Sequence, residues 1–104
     1  MTENSIAKVE SIAILGGTGD LGGGLARQWS RAGYRIFIGS RTLEKGQAAA
    51  TALLEEFPDL NVTGHENLDA ATQANLVVLT VPFEHQISTL ETVKQGLLGK
   101  VLID

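Results

Sequence analysis

The chemistry of this chain is concentrated in Gly17-Thr18-Gly19-Asp20-Leu21-Gly22, a G-x-G-x-x-G spacing suited to holding phosphate. An apolar run, Ile12-Ala13-Ile14-Leu15, leads into it, and residues with helical periodicity follow. A strand, this spacing and then a helix make up the dinucleotide-binding fingerprint in its required context. Gly17 is expected to permit the tight turn. Gly19 lets the backbone approach a pyrophosphate, and Gly22 lets the helix pack closely on its strand. The helix opening at Asp20-Leu21 aims free N–H groups and a positive dipole end at the phosphates. Thr18 offers its backbone and hydroxyl to the same anion. Asp20 is expected to cap the helix rather than touch phosphate, because like charges repel. The alternative for the whole loop is a structural glycine turn in an α/β domain without a ligand.

A second group of residues addresses which nucleotide. In this fingerprint an Asp or Glu at the end of the second strand bonds the ribose 2′-hydroxyl and repels a 2′-phosphate. Here the segment is Ile38-Gly39-Ser40-Arg41, and the acid is missing. Ser40 offers a hydroxyl, and Arg41 a guanidinium that pairs well with phosphate. Lys45 stands one helical turn beyond Arg41 and adds a second positive charge. All three favour NADP(H). The plainer readings are an exposed surface arginine, a solvated helix lysine and a serine bonding its own turn.

Ligands of open parallel sheets lie at the carboxyl ends of the strands. Val81 and Pro82, which end the fourth strand, therefore line the nicotinamide side or merely stop the strand. His85 contacts ribose or nicotinamide, or is an exposed histidine at a helix start. His65 receives no role, Trp29 is placed in the core, and Glu55-Glu56 on a solvated helix face. No nucleophile–base or acid–base pair stands out, so no catalytic residue is assigned. Direct hydride transfer between two cofactors depends on closeness and orientation more than on a protein acid or base.

The elements that position these residues alternate along the chain. Ser11–Leu15 reads as a strand. Leu21, Leu25, Trp29 and Ala32 give the first helix an apolar face, and Gly33 caps it. Tyr34–Ile38 is the second strand. Thr42 caps a helix whose face carries Leu43, Ala50, Leu54 and Phe57, and Pro58 stops it. A third strand is expected near Asn61–Gly64 and a short helix over Leu68–Ala74. Asn75–Val81 contains a continuous apolar run suited to a strand buried on both faces. A helix over Glu84–Gln95 and a fifth strand over Lys100–Asp104 complete the pattern. Strand–helix alternation with short loops implies a three-layer, Rossmann-type α/β domain with a parallel sheet in the order 3-2-1-4-5. A single NADP-binding domain over residues 1–104 is expected. Its end on an apolar strand reads as a piece of something longer, truncated after strand 5, or else as a complete small domain.

Composition narrows the classes. The chain has 104 residues, enough for one domain, and is 43% hydrophobic, enough for a core. Its formal net charge of -4 argues against a general nucleic-acid binder. It has no cysteine, which excludes disulfides and thiolate chemistry, and its 2 histidines lie far apart, which argues against a metal site. No apolar run approaches a membrane span, and the polar N-terminus lacks a signal-peptide core. A cytoplasmic protein is expected.

Taken together, Leu15-Gly16-Gly17-Thr18-Gly19-Asp20-Leu21-Gly22, Gly24-Leu25-Ala26, Gly39-Ser40-Arg41 and Leu79-Thr80-Val81-Pro82-Phe83-Glu84-His85 resemble the NADPH-dependent reductases of the deazaflavin coenzyme F420. The resemblance covers nearly the whole chain. It implies NADP on Thr18 to Leu21, its 2′-phosphate on Ser40, Arg41 and Lys45, and the nicotinamide side near Val81 and His85. It also implies hydride exchange with F420 as the small-molecule acceptor. Members of that family carry a further helical part, absent here, that helps form the deazaflavin pocket and a homodimer. Pyrroline-5-carboxylate reductases and membrane metalloreductases have related domains. An NADP-sensing module without chemistry is the reading from another class.

Overall fold

The computed structural model describes residues 10–81, 83–97 and 101–103. The elements run β1 (Ser11–Leu15), α1 (Asp20–Arg31), β2 (Arg35–Ser40), α2 (Leu43–Glu56), β3 (Val62–Glu66), α3 (Asn67–Gln73), β4 (Leu76–Leu79), α4 (Phe83–Val93), a 3-10 turn (Lys94–Leu97) and β5 (Val101–Ile103). The five strands form one sheet in the order β3-β2-β1-β4-β5, and every pairing is parallel. This is the Rossmann-type order that the alternation of elements implies.

Strand side chains alternate between two faces, so both faces of the sheet are covered. Ile12, Ile14, Ile36, Ile38 and Val78 meet Ala26 of α1 and Ala50 of α2. Ala13, Leu15, Phe37, Val77 and Leu79 meet Ala70 and Ala71 of α3 and Val93 of α4. The result is three layers. Register then creates the edge that matters: Leu15 lies level with Gly39 on one side and Leu79 on the other. The connections that follow β1, β2 and β4 therefore leave the sheet together.

The helices meet the sheet differently from expectation. The buried column of α1 is Gly22, Ala26 and Ser30, with Leu25 and Trp29 partly buried beside it. Leu21 is 64% exposed, and Ala32 is the exposed C-cap residue. In α2 the buried residues are Gly46 and Ala50, while Leu43 is 46% exposed and Phe57 is the C-cap. Both corrections have one cause: these helices lie so close to the sheet that only small side chains fit beneath them. At Gly46 and Gly64 the approach is backbone on backbone. A Cβ added to Gly64 would fall on the Gly46 carbonyl, and one added to Gly46 would meet the His65 backbone.

Gly33, with φ +106, follows the C-cap as expected, and its N–H donates to Ser30 O at 3.0 Å. The Thr42 hydroxyl accepts from Lys45 N at 3.3 Å, as a cap should. Several boundaries move. β2 continues through Gly39 and Ser40 because these residues pair with β3, Ser40 against Glu66. β4 is shorter than the apolar run: it ends at Leu79, although Thr80 N–H still donates to Leu15 O of β1. The last long helix ends at Val93 and tightens into the 3-10 turn.

Candidate functional site

The glycine loop is fastened from below. Gly16 N–H and Gly17 N–H both donate to Gly39 O, at 3.0 and 3.1 Å. Thr80 donates to Leu15 O through its backbone N–H at 2.9 Å and its hydroxyl at 2.7 Å. The left-handed residue of the turn is Gly16, with φ +78, and not Gly17. Gly17 instead makes room for its neighbours, since a Cβ there would lie 2.8 Å from Ile38 Cγ2. At Gly22 a Cβ would lie 2.7 Å from Gly16 O, Gly17 Cα and Thr80 Oγ1, so the close helix–strand packing assigned to this glycine is present.

Gly19 is the odd one out. A Cβ on it would meet only Gly16 O, at 3.6 Å, so the space above it is open. It is also the N-cap of α1, and no side chain caps that helix. The first N–H groups of a helix lack intrahelical partners. Asp20, expected as the cap, is instead the first residue inside α1, past the capping position.

A cleft of about 370 Å³ opens above this loop. Of the residues singled out from the sequence, Thr18, Gly19, Ser40, Arg41, Lys45, Val81 and His85 line it. Gly17 and Gly22 are buried, and Asp20 and Leu21 are exposed and not among the residues that line the cleft. Pro82 lies outside the described residues. Sequence reasoning missed Gly16, Asn67, Thr80, Ser88 and Thr89 on the wall. Thr80 follows the carboxyl end of β4, so the rule that pointed to Val81 also reaches it. Ser88 and Thr89 stand three and four residues beyond His85, one turn along α4, which helical periodicity would have revealed. No local pattern marks Asn67. It arrives through the pairing of β2 with β3.

The charge around the cleft is one-sided. Arg41 and Lys45 are exposed on its wall, no carboxylate lines it, and neither cation is ion-paired with another described residue. Glu66 lines only an adjoining cavity of about 440 Å³ that shares Ser40, Arg41, Asn67, Ser88 and Thr89 with the cleft. His65 is held elsewhere, with Nδ1 2.6 Å from Asp69 Oδ2 and Nε2 2.7 Å from the Thr63 hydroxyl, and so ties β3 to α3. Among the described residues no His, Cys, Asp and Glu cluster is arranged to hold a metal ion, and no helix is long and apolar enough to cross a membrane.

An open helix N-terminus, bare glycine backbone and two unpaired cations fit a ligand that carries phosphate. The site lies between β1 and β4, where the strand order reverses. Together, fold and site define a dinucleotide-binding domain of the Rossmann type. The chain belongs to the family described as NADP oxidoreductase, coenzyme F420-dependent, whose model matches residues 11–104. It is 50% identical over 95 residues to the F420-dependent NADP reductase of Methanothermobacter marburgensis, a match covering 89% of this chain and 42% of that protein. The enzyme of the same name from Methanocaldococcus jannaschii is 41% identical over 96 residues, covering 88% of this chain and 43% of its own length. The chain thus spans about two fifths of the length of the curated relatives it matches. Among solved structures, a putative F420-dependent NADP reductase from Arthrobacter sp. FB24 superposes with a TM-score of 0.73 at 27% identity, covering 91% of this chain and 43% of that one. A lactate dehydrogenase from Cryptosporidium parvum gives 0.73 at 14% identity, covering 93% and 37%, which shows the shared fold alone.

Proposed function

We propose that this chain is the NADP(H)-holding part of an oxidoreductase that exchanges hydride between NADPH and the deazaflavin F420. The observation that carries the reading is the pair of unpaired cations, Arg41 and Lys45, beside Ser40 at the acid-free end of β2. The reductase names of the similar proteins support the choice of acceptor.

Each residue group has its own task. Thr18, Gly19 and the first turn of α1, with Leu21 and Asp20 in it, receive the pyrophosphate through backbone N–H groups. Gly17 and Gly22 keep the loop low enough for that approach. Arg41, Lys45 and the Ser40 hydroxyl hold the 2′-phosphate, with the guanidinium supplying paired donors. Val81 and His85 border the nicotinamide half. When bound, the nicotinamide is the group that gives up or takes the hydride, and this chain's contribution is orientation rather than proton transfer. The acceptor pocket and the contacts of a homodimer belong to the rest of a longer, cytoplasmic protein.

Calorimetric titration of the chain with NADPH and separately with NADH tests this reading. At least a tenfold preference for NADPH is expected. Equal affinity would overturn the 2′-phosphate assignment, and reduction of F420 by a protein carrying the remaining length of the family would test the acceptor.

A further inference from the structure

Asn67 is a polar residue that the fold buries and leaves unsatisfied. It is 7% exposed, and its Oδ1 is buried without a hydrogen-bond partner. Such oxygens are rare in folded proteins, because burial strips water from the group and gives nothing in return. The side chain lies over the end of β2: a Cβ placed on Gly39 would be 2.7 Å from Asn67 Oδ1. Asn67 also lines both the main cleft and the adjoining cavity, and so stands on the partition between them.

That place matters because of what β2 lacks. Its end carries Ser40 and Arg41 and no carboxylate to accept from a ribose hydroxyl. Glu66, the residue that pairs with Ser40, lines only the adjoining cavity, whereas Asn67, which follows it as the first residue of α3, lines the cleft and so brings a neutral carboxamide beside the end of β2. A half-turn about the Cβ–Cγ bond exchanges the places of Oδ1 and Nδ2, which gives the carboxamide a second orientation beside the cleft that Asn67 lines. A neutral oxygen accepts a hydrogen bond from a hydroxyl without the repulsion that an Asp or Glu would exert on a phosphate next to it.

We propose that Asn67 is a specificity-determining residue of this site: it accepts the adenosine ribose hydroxyl common to NADP and NAD, and its neutrality is what lets Arg41 and Lys45 hold the 2′-phosphate beside it. The proposal rests on the nucleotide reading above. Binding then gives this oxygen the hydrogen bond that it lacks in the free protein.

Two variants test it, each titrated with NADPH and NADH and melted without ligand. Asn67→Leu keeps the size of the side chain and removes its polar atoms. Both nucleotides should weaken by a similar factor, about tenfold, while the melting temperature holds or rises. A lowered melting temperature with unchanged affinity would make Asn67 a structural residue and overturn the proposal. Asn67→Asp keeps an acceptor and adds a charge. NADH affinity should stay within a few-fold, while NADPH falls by about tenfold or more through repulsion of the phosphate. If Asn67→Leu does not fold, this second variant decides, and an unchanged NADPH-to-NADH ratio overturns the proposal. Failure of the wild-type chain to prefer NADPH would instead sink the nucleotide reading itself.

Discussion

Arg27 and Arg41 are the same residue in opposite circumstances. Arg27 on α1 reaches Glu56 at the end of α2 through two bonds, Nη1 to Oε1 at 2.5 Å and Nη2 to Oε2 at 2.8 Å. Its guanidinium also lies 4.9 Å from the centre of the Phe57 ring, and Arg31 lies 4.7 Å from the same ring. This cluster is a closed arrangement of charge and aromatic surface. Arg41 stands at the carboxyl edge of the sheet beside Lys45, with no carboxylate on the cleft wall. Two exposed cations without an ion pair to another described residue, set around an open helix N-terminus, suit an anion from outside.

The contrast can be pressed hardest by removing both cations. The double variant Arg41→Ala, Lys45→Ala should lose about 3 kcal/mol of NADPH binding, more than a hundredfold in Kd, with NADH nearly unchanged by calorimetry. Arg41→Ala alone should lose about 2 kcal/mol for NADPH and leave NADH alone. Equal losses for the two nucleotides would erase the distinction between the regions. Raising salt from about 0.05 to 0.5 M should weaken NADPH several-fold and NADH less, because the cleft charges are exposed and screened. Arg27→Ala should change no nucleotide affinity. Its Glu56 partner is half exposed, so the loss in stability should stay under about 1 kcal/mol, a melting shift of a few degrees. A nucleotide defect in that variant would mean that the closed cluster also serves the cleft.

Much of this contrast was legible in the sequence, and the parts that were not share a cause. β1 has the bounds that its apolar run suggests, and Thr42 caps α2, because both depend on neighbours along the chain. Arg41 and Lys45 were readable because the residue that follows β2 has a fixed place in this fold. The glycine spacing located the loop but not its left-handed residue, since spacing carries no dihedral angle and Gly16-Gly17 allows either choice. The buried columns of α1 and α2 were misjudged because hydrophobic periodicity favours large side chains, whereas Gly22, Ala26, Gly46 and Ala50 are buried by being small. Asn67 was invisible because it joins the cleft only through the register of β3 against β2.

The contact of Gly46 with Gly64 has a consequence in time rather than in space. β3 is an outermost strand of the sheet, and such strands ordinarily fray ahead of the rest. Here the backbone of α2 rests directly on it, with no side chain between to bend or repack. Lys45 precedes one glycine of this contact, and Asn67 lies three residues beyond the other. Opening of β3 should therefore lift α2 with it, and amide hydrogens on both elements should exchange with solvent at a common pace. Two walls of the cleft, far apart along the chain, would then come and go as one body.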